Sequence, residues 1–188
     1  MKKLATLLAA SLLLGSAFAS TSPTPKKAVQ AGKSWIINLG IAKPTDDLED
    51  GGVDIAFIGS ADYHFGMMGD GTSNASWFAG LGFFFGNGDA DTDVSAWGGH
   101  VGVLFGLGQP GDDNPWAIEI KAGLYQARIG GVIDDDDSGF GGSIGVVYKS
   151  PSMGSGVRFS AGWYMFPEVA NIDNRGFFFS VGFPVGGA

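Results

Sequence analysis

The feature that most constrains this chain is a period of two. Eight stretches, roughly 34–42, 53–65, 76–86, 94–107, 116–129, 140–148, 156–168 and 176–184, alternate residue by residue. That is the period of a β-strand, in which successive side chains point to opposite faces. The gaps between them are rich in Gly, Asp, Asn, Pro and Ser, the residues of turns. In the fifth stretch Trp116, Ile118, Ile120, Ala122 and Leu124 oppose Ala117, Glu119, Lys121, Gly123 and Tyr125. In the seventh, Val157, Phe159, Ala161, Trp163 and Met165 oppose Arg158, Ser160, Gly162, Tyr164 and Phe166. One face is continuously large and apolar, and the other mixes glycine, small polar residues, charges and a few aromatics.

A soluble sandwich or barrel does the reverse, turning its large apolar residues inward and its charges to water. Here the charges share a face with glycine, which suits a crowded concave interior, and the apolar face needs an apolar solvent. A closed barrel in lipid meets both demands and pairs every backbone group. The pattern therefore predicts an all-β fold: a single closed, antiparallel, up-and-down transmembrane barrel of eight strands over residues 34–188. Glycine at 33 of 188 residues is far above average usage. The aromatic share of 13% excludes a disordered chain. With no cysteine, disulfides, thiolate catalysis and cysteine-bound zinc are excluded. A formal charge of −8 with clustered acids argues against nucleic acid as a partner, and no cofactor motif is present.

The N-terminus reads as an export signal. Met1-Lys2-Lys3 is basic, Leu4 to Leu14 is apolar, and Ala17-Phe18-Ala19 has the form of a cleavage site. Residues 1–19 are thus expected to be a signal peptide, and 20–33, with Pro23, Pro25, Lys26 and Lys27, a flexible lead-in. No later segment offers eighteen consecutive apolar residues, so no transmembrane helix is expected.

With the N-terminus inside and strands alternating up and down, Trp35, Tyr63, Phe65, Trp77, Phe105, Trp116, Tyr148 and Phe183 fall near the inner strand ends. Trp97, Phe85, Phe140 and Phe177 fall near the outer ends. Two aromatic girdles at the headgroup levels are expected. The expected outer connections carry Asp46, Asp47, Glu49, Asp50, Asp89, Asp91, Asp93, Asp134 to Asp137 and Asp173, against Asp70, Asp112 and Asp113 on the inner side.

On these grounds the chain resembles the small eight-stranded outer-membrane β-barrels of diderm bacteria, of the OmpA transmembrane domain, OmpX and OmpW type. The family's C-terminal assembly signal is similar to Asn174-Arg175-Gly176-Phe177-Phe178-Phe179-Ser180-Val181, with Asn174, Gly176, Phe179 and Val181 at its marked positions. The chain departs from the family in ending on Pro184-Val185-Gly186-Gly187-Ala188 rather than a terminal aromatic. The resemblance implies a bacterial outer-membrane location, with membrane lipid and the barrel-assembly machinery as partners. It also implies a non-enzymatic role in envelope structure, surface interaction or narrow-pore permeation.

The candidate lumen charges are Asp54, Asp62, His64, His100, Glu119, Lys121 and Arg158. Charges facing a glycine-lined lumen must pair or be hydrated. They therefore form either a structural plug or the filter of a narrow pore. Ser60, Asp62 and His64 share one strand face; Asp–His is half of a hydrolytic triad, though side chains along one strand point parallel. This constellation is the basis of an alternative reading as a lipid-modifying barrel enzyme. Phe78, Phe84, Tyr125, Tyr164 and Phe166 also face inward, and in an OmpW-like barrel they would imply passage or binding of small apolar molecules. A soluble lipocalin-like carrier of such ligands is the other alternative. Asp89-Ala90-Asp91-Thr92-Asp93 has the spacing of a calcium loop without its glycine or distal glutamate. With Asp134, Asp135, Asp136 and Asp137 it is a candidate surface site for divalent cations.

Overall fold

The computed structural model describes residues 34–67, 74–88, 92–108, 114–131, 134–150 and 157–185. The expected signal peptide and lead-in lie outside the described residues, as do Asp89 and Asp91. Eight strands run in chain order: β1 (Ser34–Pro44), β2 (Ala56–Met67), β3 (Ala75–Asn87), β4 (Asp93–Gly106), β5 (Trp116–Gly130), β6 (Asp135–Lys149), β7 (Arg158–Val169) and β8 (Ile172–Val185). Each pairs antiparallel with the next, and β1 pairs with β8 from Trp35↔Val185 to Pro44↔Gly176, closing the barrel. Both ends of the described chain therefore sit at one end of the barrel; the other is called here the far end.

The parity read from sequence holds in three dimensions. Phe57 and Leu81 are 67% and 69% exposed, and Ile41, Trp97, Val101, Leu124, Ile144 and Phe179 are exposed beside them. Asp62, Phe78, Phe84, Glu119, Arg158 and Tyr164 on the alternate positions are buried. So many exposed large apolar side chains around a complete ring form the surface of a transmembrane barrel. On β5 and β6 this belt runs from Trp116↔Tyr148 to Leu124↔Phe140. The next outward pairs, Gln126↔Ser138 and Arg128↔Asp136, are polar, so the hairpin rises beyond the apolar zone.

The structure departs from the sequence reading mainly at the far end. The alternation beginning at Val53 suggested a strand from 53, but β2 starts at Ala56. Before it, a single helical turn, α1 (Asp47–Asp50), is followed by Gly52 at φ 82°, with Val53 N–H donating to Leu48 O and Asp54 N–H to Gly52 O. This turn rotates the chain, burying Val53 and leaving Asp54 exposed. Asp54 is thus not a lumen charge. Asp135 to Asp137 are not in a loop either: they open β6, paired with Ile129 to Ala127 of β5. The last connection is only Ala170-Asn171, both at positive φ, the geometry of a two-residue hairpin that follows the strand twist.

Several glycines allow backbone contact across the wall. A Cβ on Gly123 would lie 2.1 Å from Gly99 O and 2.7 Å from His100 Cα, whereas one on Gly99 would meet nothing nearer than 3.9 Å. Gly123→Val should therefore destabilise the refolded barrel by about 1–3 kcal/mol or more in a urea titration, and Gly99→Ala should leave it near the parent. Equal stability of the two variants would contradict this β4–β5 register.

Candidate functional site

The interior is built in three layers. Near the terminal end, Phe78, Leu104, Ala117 and Val147 form a small apolar floor. Toward the far end a larger apolar layer includes Ala42, Ala56, Phe84, Tyr125, Tyr164, Phe166 and Val169, with Leu48 and Val53 contributed by the β1–β2 connection. Between them lies a polar cluster from β1, β2, β4, β5 and β7.

Asp62, wholly buried, is its centre. Its Oδ2 accepts from Asn38 Nδ2 at 2.8 Å, Lys121 Nζ at 2.9 Å and Ser60 Oγ at 3.0 Å. Its Oδ1 accepts from His100 Nε2 at 2.8 Å. A carboxylate offers about four lone-pair positions, so Asp62 is saturated. Because an ionised carboxylate only accepts, His100 carries its proton on Nε2, and its Nδ1 accepts from the Tyr125 hydroxyl at 2.9 Å. Lys121 also reaches Glu119 at 3.3 Å and lies 5.5 Å from the Phe78 ring centroid. Arg158 donates through Nε and Nη2 to Asn38 Oδ1, both at 3.2 Å, and through Nη1 to His64 Nε2 at 3.3 Å. Its Nη2 stands 3.4 Å from Glu119 and 3.6 Å from Asp62. Two carboxylates face two cations, so the cluster is neutral as a unit. Burying charges costs several kcal/mol per ion unless partners and hydrogen bonds replace the water, and here nearly every group has both.

Glycine makes the cluster possible. A Cβ on Gly80 would fall 2.5 Å from Asp62 Oδ1, and one on Gly182 would fall 2.5 Å from Asn38 Oδ1. Of the seven candidate lumen residues, Asp62, His64, His100, Glu119, Lys121 and Arg158 converge, and Asp54 does not. Asn38 is the member the sequence reading missed, although it occupies an inward position of β1 between Ile36 and Gly40. The triad-like arrangement is not assembled: Ser60 Oγ donates to Asp62, while His64 faces Arg158 and stacks on Phe78 at 4.7 Å between centroids.

A cavity of about 40 Å³ lies between the cluster and the far-end layer, bordered by Asn38, Glu119, Lys121, Tyr125, Tyr164 and Phe178 among others. That is room for roughly a water molecule or two.

Outside, Trp35, Tyr63, Phe65 and Trp77 run ring to ring at 4.2–5.2 Å around the terminal end, and Trp116 meets Tyr148 at 4.9 Å. The bulge between His64 and Gly66, with Gly66 at φ 111°, sits beneath that run. Phe183 is exposed at the same end and Trp97 nearer the other. Asn174 and Gly176 point inward on β8, and Phe179 and Val181 face out. At the far rim Lys43 pairs with Glu49 at 2.7 Å, and Arg175 with Asp173 at 2.8 Å and Asp46 at 3.0 Å. Among the described residues no three acidic or histidine side chains converge as a metal site.

Asp62→Ala leaves Lys121 and Arg158 with one carboxylate between them. Removing one partner of a buried pair costs about 3–5 kcal/mol, so this variant should lose that much in urea titration. Lys43→Ala, at an exposed pair, should lose under about 1 kcal/mol.

No family model and no curated protein matches the chain. Solved structures do. Ail, the attachment invasion locus protein of Yersinia pestis, is 9% identical with a TM-score of 0.53, covering 82% of this chain and 99% of that one. Neisserial surface protein A is 17% identical with a TM-score of 0.54, covering 83% and 97%. The Yersinia pestis protein in a phospholipid bilayer nanodisc gives 0.51 at 9% identity, covering 81% and 99%. At these identities the likeness is one of fold: this chain shares the closed eight-stranded barrel of these outer-membrane proteins.

Proposed function

We propose that this protein is a closed, non-conducting and non-enzymatic barrel of a bacterial outer membrane that acts through the surface at its far end, turned outward. The observation that carries this reading is the filled interior. A neutral ion cluster is held between two apolar layers, and the cavity beside it measures only about 40 Å³. Eight strands enclose a lumen that side chains fill, and a solute path through this one would have to break the Asp62 network.

The other readings fit less well. A hydrolytic enzyme needs a nucleophile on its base, and Ser60 is bonded to Asp62 and Asn38 rather than to a histidine. A soluble carrier would not present Phe57, Leu81, Leu124 and Phe179 to water. The similar structures, those of an attachment invasion locus protein and a surface protein, agree with a surface role. The assembly-signal residues lie on β8, which closes the barrel against β1, a fitting place for recognition by assembly machinery.

Full chain refolded in lipid, with folding confirmed by heat-dependent gel mobility, should give no conductance steps in planar bilayers. Discrete, reproducible steps altered by Glu119→Gln would overturn the reading in favour of a narrow pore.

A further inference from the structure

Two polar atoms in the interior lack a hydrogen-bond partner, and their residues border the same space. The Tyr164 hydroxyl is wholly buried and the Glu119 carboxylate nearly so, and neither the hydroxyl nor Glu119 Oε2 makes a hydrogen bond within the protein. Glu119 Oε2 faces Arg158 Nη2 at 3.4 Å as an ion pair, outside hydrogen-bond geometry. Both residues line the cavity of about 40 Å³ between the ion cluster and the far-end layer. Ser143 and Ser180 line it from β6 and β8, and Ser143 stands in register between Lys121 on β5 and Tyr164 on β7. The other unpartnered side-chain atoms belong to Ser160 and Asn174, which do not border this space.

A buried donor or acceptor left unpaired bears its full desolvation penalty, and the surrounding charges narrow what can relieve it. An apolar molecule would leave both atoms unpaired. An anion would find no free cation: Lys121 directs its N–H groups at Ser60, Asp62 and Glu119 at 2.9–3.3 Å, and Arg158 is engaged with Asn38 and His64. An added cation would lie beside Lys121 and Arg158 in a cluster whose charges already cancel. What fits is a small neutral molecule that accepts from a hydroxyl and donates to a carboxylate. A water needs about 10–15 Å³ of such space and two to four polar partners. The cavity is large enough, and Tyr164, Glu119, Ser143 and Ser180 border it.

We propose that this cavity is a binding site for one or two trapped water molecules, which accept from the Tyr164 hydroxyl and donate to Glu119 Oε2. The water belongs to the ion cluster: it supplies the bonds that Glu119 and Tyr164 do not make within the protein, and it ties the cluster to the aromatic layer above. It is held rather than conducted, so the proposal rests on the closed lumen proposed above.

Two measurements on the full chain refolded in phosphatidylcholine vesicles test it, with water itself as the probe. In the first, the protein is mixed into oxygen-18 water and struck within milliseconds by an X-ray pulse, which hydroxylates side chains that touch water. Tyr164 should be labelled at least fivefold more than Phe78, which is equally buried but does not border the cavity, and its label should still carry oxygen-16. Labelling of Tyr164 no stronger than that of Phe78 would overturn the proposal and leave the closed lumen standing. Strong labelling that carries oxygen-18 at once would overturn both. The second measurement is the urea midpoint of Tyr164→Phe, with folding confirmed by heat-dependent gel mobility. Removing a hydroxyl that holds water leaves that water and Glu119 short of a donor, so the midpoint should fall. Removing an orphaned hydroxyl from a dry cavity relieves a penalty, so an unchanged or raised midpoint would overturn the proposal.

Discussion

A peptide chain immersed in hydrocarbon has no water to satisfy its N–H and C=O groups, so a sheet there must close on itself. The β1–β8 ladder, from Trp35↔Val185 to Pro44↔Gly176, is where this one closes. Much of the remaining architecture follows. Closure with eight strands makes a narrow interior, and alternation commits every second residue to it. The inward positions must then fill that space without orphaned charge, while the outward positions meet lipid. The inward glycines and the outward phenylalanines answer the same requirement from opposite sides of the wall.

The Asp62 cluster shows how the interior meets its part. Side chains from five strands converge on it, and four hydrogen bonds end on one carboxylate. Such a network is costly to disturb, because each partner removed leaves a charge without water. The apolar floor and far-end layer keep water from replacing those partners. This arrangement stiffens the barrel and fills its lumen, which moves the site of action to the barrel's ends. At the far end the same packing logic places Val169 and Ile172 in the apolar layer.

Most of the fold was legible in the sequence because the period of two survives wherever a strand is fully embedded. Glu119, Lys121 and Arg158 could be assigned to one interior from parity alone. Legibility ends where the chain leaves the regular ladder. Asp54 continued the alternation on paper, but the turn at Gly52 breaks it before β2 begins. Asp135 to Asp137 looked like loop residues by composition, yet the pairing with β5 carries the strand through them. Asn38 was overlooked as one small polar residue among apolar ones, and its importance appears only when Arg158, 120 positions away, is seen donating to it. Identities of 9–17% to barrels of similar fold agree with this: the fold is shared where most individual residues are not.

The central claim is that one face of every strand meets lipid and the other meets only protein. It is tested most directly by photolabelling the unmodified protein in bilayers that contain a diazirine-bearing phosphatidylcholine, with labelled residues read by mass spectrometry. On β5 the account expects label on Ile118, Ile120 and Leu124 and none on the intervening Glu119, Lys121 and Tyr125. Label on those three inward residues, or an absence of alternation along the strand, would contradict it.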